Sequence, residues 1–123
     1  MTKRILYVED NFENRLFVRR VLESMGIEML EADDGQAGIE LAQTQKPDLI
    51  LMDVGLPGMD GLETTVRLKE IPAVSQIPVI ALTANAMKGD RERCLAAGCD
   101  GYLQKPIGVT ELRQQVAHFL RET

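Results

Sequence analysis

The chain has 123 residues, of which 45% are hydrophobic and 27% are charged. Because an ordinary domain contains ~100–200 residues, this length allows one domain with one core and excludes two catalytic domains. The 14 basic and 19 acidic residues give a formal net charge of −5, which disfavours binding to nucleic acid phosphates. No apolar run approaches the ~18 residues of a membrane span and no targeting segment is evident, so no membrane partner is expected.

Five short apolar runs along the chain predict β-strands. The first, third and fourth runs are continuously apolar, which is typical of central parallel strands covered on both faces. The second and fifth runs are more polar and predict strands nearer the edges of the sheet. In chain order, the runs are residues 5–8, 28–32, 48–52, 78–83 and 101–104.

Amphipathic stretches follow these runs and predict five helices. The first helix has its apolar residues at helical spacing, with Gly26 as the predicted C-terminal cap. Weaker helices are predicted at residues 35–45, 61–71 and 86–97, the last with Gly89 in its interior. The closing helix places His118 on its solvent face. The apolar stripes of the first and last helices are Val18, Val21, Leu22 and Met25, and Val109, Leu112, Val116, Phe119 and Leu120.

This alternation of strands and helices predicts an α/β fold, with helices covering both faces of a parallel sheet. The spacing of Cys94 and Cys99 matches neither a CxxC motif nor a zinc site. We therefore predict that both thiols are reduced and buried as small hydrophobic groups, and we expect a cytoplasmic protein.

Charged and hydroxyl side chains follow four of the predicted strands, at the edge where such sheets bind ligands. They are Glu9 and Asp10, then Asp53, Thr83 and Lys105. Three neighbouring carboxylates repel one another, so a cation is the natural compensation, and oxygen ligands in an open cluster favour Mg²⁺. A carboxylate such as Asp53 can also attack phosphorus and form an acyl phosphate.

Each of these residues also has a purely structural explanation. Glu9 and Asp10 could cap the following helix, and Asp53 could begin a turn. Thr83 by itself carries no information, and Lys105 could be an ordinary surface lysine. We favour the functional interpretation because the matched chemistry occurs at four strand ends together.

At these residues the sequence resembles the receiver domain of two-component response regulators. The motifs that carry the resemblance are residues 5–11, 47–53, 56–61, 78–84 and 98–106, and the similarity covers essentially the whole chain. It implies a flavodoxin-like (βα)5 sandwich with strand order 2-1-3-4-5. It also implies one receiver domain over residues 1–123 without an output domain, most similar to single-domain receivers and to receivers of hybrid kinases.

The resemblance also implies a role for each site residue. Asp53 would be the phosphoacceptor, and Glu9 and Asp10 would hold Mg²⁺ directly or through water. Gly55 would offer its backbone carbonyl to the metal, and Lys105 would contact the phosphoryl group. Glu9 stands where aspartate is more frequent in the family, which could change the metal contacts.

Two further residues match the family's switch pair. Thr83 would move toward the phosphoryl group while the ring of Tyr102 turns inward. The bond between Lys105 and Pro106 would be cis. Asn85 is a candidate to position an attacking water, and the alternative is that it has no role.

The implied partners are a histidine kinase or histidine phosphotransfer protein and a downstream protein target, with no direct nucleic acid contact. The protein would be a monomer or a weak phosphorylation-dependent dimer. Phe12 and Leu16, one turn apart on the first helix, form a docking hypothesis for the phosphodonor. The alternative is that both are ordinary surface residues.

The predicted function is a phosphorylation-controlled signalling switch that is not a turnover enzyme. One alternative is a receiver domain cut from a larger hybrid kinase or regulator. An aspartyl-phosphate phosphatase or phosphotransferase would need a second acid where the chain has Gly55. A flavodoxin-like cofactor binder would need a phosphate-binding loop where Glu9 and Asp10 stand. A phosphate-independent interaction module would not need the acid, hydroxyl and lysine set.

Overall fold

The computed structural model describes residues 2–56, 58–84 and 89–121. It forms five strand–helix units in which all paired strands are parallel, and the sheet order is β2-β1-β3-β4-β5. The predicted fold class and strand order are confirmed. The elements are β1 Arg4–Val8, α1 Phe12–Ser24, β2 Glu28–Ala32, α2 Gly35–Gln45, β3 Leu49–Asp53, α3 Gly61–Lys69, β4 Val79–Thr83, α4 Asp90–Ala96, β5 Gly101–Gln104 and α5 Val109–Leu120.

The core lies on both faces of the sheet because side chains of a strand alternate between them. Tyr7 and Leu51 pack with α1 and α5 on one face, whereas Val8 and Met52 pack with α2, α3 and α4 on the other. All residues of β3 and β4 are buried, as predicted for central strands. The middle strands β1, β3 and β4 are therefore closely packed supports for the residues at their carboxyl ends.

Helix α1 begins before the apolar stripe that predicted it. The side chain of Asn11 caps the helix by accepting a hydrogen bond from the backbone N–H of Asn14 at 2.8 Å. At the other end, Gly26 has φ +74° just beyond the helix, in the left-handed region that glycine tolerates. The chain reverses there into β2, as the position of Gly26 predicted.

Helix α4 is shorter than the sequence predicted. Gly89 was expected inside a helix over residues 86–97, but its φ of +98° is not helical, and the helix begins after it at Asp90. The part of the prediction on residues 86–88 lies outside the described residues. Asn85 lies outside them as well. Helix α3 also ends earlier than predicted, at Lys69.

Both cysteines are free and buried, as predicted. Among the described residues, no helix has the length and apolar character that a membrane crossing requires. Burial of Cys99 raises the pKa of its thiol to about 11, although a hydrogen bond with the Thr65 hydroxyl acts to lower it.

We therefore expect both native thiols to react slowly with a thiol-exchange reagent at about pH 8, because the reactive thiolate is scarce and covered. In denaturant both should react at the rate of a model thiol. Absorbance of the released chromophore measures the two rates. Rapid reaction of either cysteine in the folded protein would contradict this expectation.

Candidate functional site

The carboxyl ends of β1, β3, β4 and β5 meet at one edge of the sheet and bring the predicted site residues together. Glu9 follows β1, Asp53 and Thr83 are the last residues of β3 and β4, and Lys105 follows β5. One carboxylate oxygen from each of Glu9, Asp10 and Asp53 lies within 4.8 Å of the others. Four separate segments therefore supply one open acidic cleft of about 440 Å³.

Lys105 lies between two of the carboxylates. Its Nζ donates to Oε1 of Glu9 at 2.8 Å and to Oδ1 of Asp53 at 3.1 Å. The Lys105 side chain is only 18% exposed, and those of Glu9 and Asp53 are buried. The ammonium thus supplies the opposite charge that two carboxylates removed from water require. The peptide bond between Lys105 and Pro106 is cis.

Glu9 is the most enclosed of the acids, with an exposed fraction of 1%. Besides Lys105, the hydroxyl of Tyr7 donates to its Oε1 at 2.9 Å, and Nδ2 of Asn14 donates to the same atom at 3.3 Å. Neither Tyr7 nor Asn14 was singled out from the sequence. The signal for Tyr7 was its spacing, because residues i and i+2 of a strand lie on the same face.

The pKa values of the Glu9 and Asp53 carboxylates are shifted in opposite directions. Burial alone would raise the pKa of Glu9, but hydrogen bonds with Lys105, Asp53 and Tyr7 lower it to about 2. Burial, a hydrogen bond to Glu9 and the charge of Glu9 raise the pKa of Asp53 above its ordinary value. As the pH falls, Asp53 therefore takes up a proton before Glu9 does.

The cleft has the composition of a divalent cation site. Three carboxylates and one ammonium leave a formal excess of negative charge. Every candidate metal ligand in this cluster is a carboxylate oxygen. A Cβ added at Gly55 would lie 3.8 Å from Oδ1 of Asp53, so the absence of a side chain leaves space beside that carboxylate. The backbone N–H of Gly55 donates to the same oxygen at 3.1 Å. The oxygen ligands that Glu9, Asp10 and Asp53 offer are of the type that Mg²⁺ prefers.

Thr83 and Tyr102 lie on adjacent strands near this edge. Thr83 is buried, with an exposed fraction of 3%, and Tyr102 is half-buried against the core on the α4 side of the sheet. Asp90 and Arg93 of α4 also line the cleft, and their side chains pair at 3.2 Å. The sequence did not indicate these two residues, because neither ends or directly follows a predicted strand.

The structure places the residues of the docking hypothesis on α1 and adds one more apolar side chain to the exposed part of that helix. Phe12 is 66% exposed and Leu16 is half-buried, whereas Phe17, which the hypothesis omitted, is 37% exposed. Phe17 lines a cavity of about 290 Å³ together with Asn14, Lys105, Pro106 and Ile107. His118 is exposed on α5, as predicted.

The sequence matches a family model over residues 5–117, and that model describes the response regulator receiver domain. The chain belongs to this family. As a receiver domain, it is 43% identical over 120 residues to the polar-differentiation response regulator DivK of Brucella ovis, covering 98% of both chains. The DivK of Brucella anthropi is 42% identical over the same share.

Solved receiver structures share its fold. The receiver domain of the sensor histidine kinase PA1611 from Pseudomonas aeruginosa is 38% identical, with a TM-score of 0.91 over 99% of this chain and 100% of that one. That structure holds a magnesium ion coordinated in its active site cleft. The chemotaxis protein CheY4 of Vibrio cholerae is 27% identical, with a TM-score of 0.91 over 98% and 100% of the two chains. This receiver domain therefore has a two-component signalling fold and an acidic cleft that could bind a metal.

Proposed function

We propose that this protein is a phosphorylation-controlled switch in which Asp53 accepts a phosphoryl group from a phosphohistidine. The observation that carries the proposal is the position of Asp53, with Lys105 at 3.1 Å and two further carboxylates in the same cleft. Glu9, Asp10 and Asp53, with the backbone carbonyl of Gly55, would hold Mg²⁺. When bound, the metal would neutralise charge on the phosphoryl oxygens.

The residues of the chain divide the work of phosphoryl transfer. A carboxylate oxygen of Asp53 forms a bond to phosphorus while the phosphorus–nitrogen bond breaks, and the electron pair stays on the imidazole nitrogen of the donor. Lys105 already contacts Asp53, so its ammonium has only a short distance to move to reach a new phosphoryl oxygen. The Thr83 hydroxyl supplies a further hydrogen-bond donor.

The output of the switch would be a changed surface. Thr83 and Tyr102 would form the two-state element, with Thr83 drawn toward the phosphoryl group and Tyr102 turning inward. A downstream protein target would bind the altered surface, and the phosphodonor would be a histidine kinase or phosphotransfer protein. We propose that three apolar side chains of α1, the exposed Phe12 and Phe17 and the half-buried Leu16, form the donor's docking surface.

Other classes of function have less support at this site. In an aspartyl-phosphate phosphatase, a second acid two residues after the nucleophile serves as general acid, and Gly55 cannot supply a proton. We therefore propose a signalling domain that assists only its own phosphorylation and dephosphorylation. We further propose that the protein is a monomer or a weak phosphorylation-dependent dimer.

Treatment with Mg²⁺ and acetyl phosphate should add one phosphoryl group to the wild-type protein. Asp53→Asn should show no addition, because an amide cannot replace the carboxylate nucleophile. Intact mass spectrometry measures the addition, and Asp60→Asn is the matched control, since Asp60 caps α3 outside the cleft. Modification that persists in Asp53→Asn, or none in the wild type, would overturn the proposal.

A further inference from the structure

We infer that Tyr7 is a positioning residue that orients the Glu9 carboxylate toward the cation, so that its Oε2 atom is the metal-facing oxygen. The inference rests on the proposed function, because it assumes that the cleft holds Mg²⁺. Tyr7 is fully buried in the core between the sheet and the α1 and α5 helices. Its ring therefore cannot follow Glu9 if that side chain moves.

The two oxygens of Glu9 have different surroundings. Oε1 accepts from three side chains: Tyr7 at 2.9 Å, Lys105 at 2.8 Å and Asn14 at 3.3 Å. Within the described part of the chain, Oε2 accepts from the backbone N–H of Asn11 at 3.3 Å. Because a carboxylate oxygen has only two lone-pair sites, Oε1 is saturated and Oε2 keeps capacity for a cation.

The Tyr7 hydroxyl is also the donor that would not need to move during the proposed reaction. Lys105 is shared with Asp53 and would turn toward a phosphoryl group there. Tyr7 contacts Glu9 from beneath, where the strand and core hold its ring. It therefore keeps Glu9 oriented when Lys105 is engaged elsewhere, as the partners of metal ligands commonly do.

This arrangement requires glutamate rather than aspartate at position 9. Aspartate would shorten the side chain by one carbon–carbon bond, about 1.5 Å, and its carboxylate would no longer reach both the hydroxyl and the cleft. Glu9, which stands where aspartate is more frequent in the family, thus has a hydrogen-bond partner within the core. Tyr7 and Glu9 form one positioning unit.

The test is a double-mutant cycle on Mg²⁺ affinity, measured by calorimetric titration of the full chain with MgCl₂. Tyr7→Phe removes the hydroxyl and keeps the ring, so we expect affinity about tenfold weaker than wild type. In a Glu9→Asp background the same substitution should change the affinity less than about twofold, because the hydrogen bond no longer exists. Unfolding of each variant without metal shows whether the fold is retained.

The outcomes separate this inference from the proposed function. Equal weakening by Tyr7→Phe in both backgrounds, or none with Glu9 present, would overturn the positioning role. Asp10→Asn serves as the control for the metal site itself. If the wild type binds no Mg²⁺, or binds it no better than Asp10→Asn, the metal part of the proposed function fails and the inference fails with it.

Discussion

Gly61→Ala should lower the free energy of unfolding by about 3 kcal/mol, at the upper end of the range for overpacked positions. A Cβ on residue 61 would lie 2.1 Å from the backbone oxygen of Asp53 and 2.9 Å from Cα of Val54. These are main-chain atoms at the end of β3, so they cannot turn aside as a flexible side chain would. Helix α3 would have to separate from the strand that carries Asp53.

Gly55, in the connection between β3 and α3, offers a matched control. A Cβ at Gly55 meets only Oδ1 of Asp53, at an ordinary contact distance of 3.8 Å. Gly55→Ala should therefore change stability by less than about 1 kcal/mol. Chemical denaturation followed by circular dichroism measures both variants. A Gly61→Ala variant as stable as Gly55→Ala would show that α3 can shift without cost and would contradict the expected destabilisation.

Lys105→Met should destabilise the metal-free protein at neutral pH by about 2 kcal/mol, somewhat below the ~3–5 kcal/mol typical of fully buried pairs. The reason is that Glu9 and Asp53 would lose the ammonium that both contact. Exposed Lys46 provides the control, because Lys46→Met removes the same charge from a site open to water. Denaturant unfolding with and without Mg²⁺ measures the effect.

The stability lost in Lys105→Met should decrease as the pH falls. The pKa of Glu9 in the fold is about 2, below its ordinary 4.5, so its contribution to stability is present above 4.5 and disappears as the pH falls toward 2. Lys105 is a principal cause of that depression. The difference between wild type and Lys105→Met should therefore be full at neutral pH and shrink through this window. A difference independent of pH would exclude the carboxylates as its source.

Mg²⁺ should raise the melting temperature of Lys105→Met more than that of the wild type. Both cations would compensate the same carboxylates, and binding to the folded state stabilises it. In the wild type, part of that compensation is already supplied by the ammonium, which contacts Glu9 and Asp53. An equal rise in both proteins would mean that lysine and metal act on separate charges.

Much of the fold was predictable because it follows from local rules. Continuous apolar runs indicated β1, β3 and β4, and helical spacing indicated α1 and α5, since each pattern reports which faces an element must bury. The boundaries were less certain. The start of α4 after Gly89 depends on a left-handed backbone angle, and periodicity does not reveal which glycine adopts one.

The acids, hydroxyl and lysine of the site were also identified from the sequence, because each directly follows or ends a predicted strand. The strand order came from the family resemblance. Four other participants were found only in the structure: Tyr7 beneath Glu9, Asn14 beside it, and the pair Asp90 and Arg93 across the cleft. Tyr7 had the pattern of an ordinary core residue, and its hydroxyl acquires a role only through its distance to Glu9.

By itself, then, the sequence determined the set of elements, the residues at the strand ends and their chemistry, because burial periodicity and strand-end position are properties of short segments. Only the tertiary structure decided how charge is distributed among those residues. Lys105 and Glu9 are 96 positions apart in the chain, yet their contact of 2.8 Å, with Tyr7 below and Asp53 opposite, helps to set which carboxylate has the lower pKa. Such distances depend on how β1, β3 and β5 are placed in one sheet, which no single segment encodes.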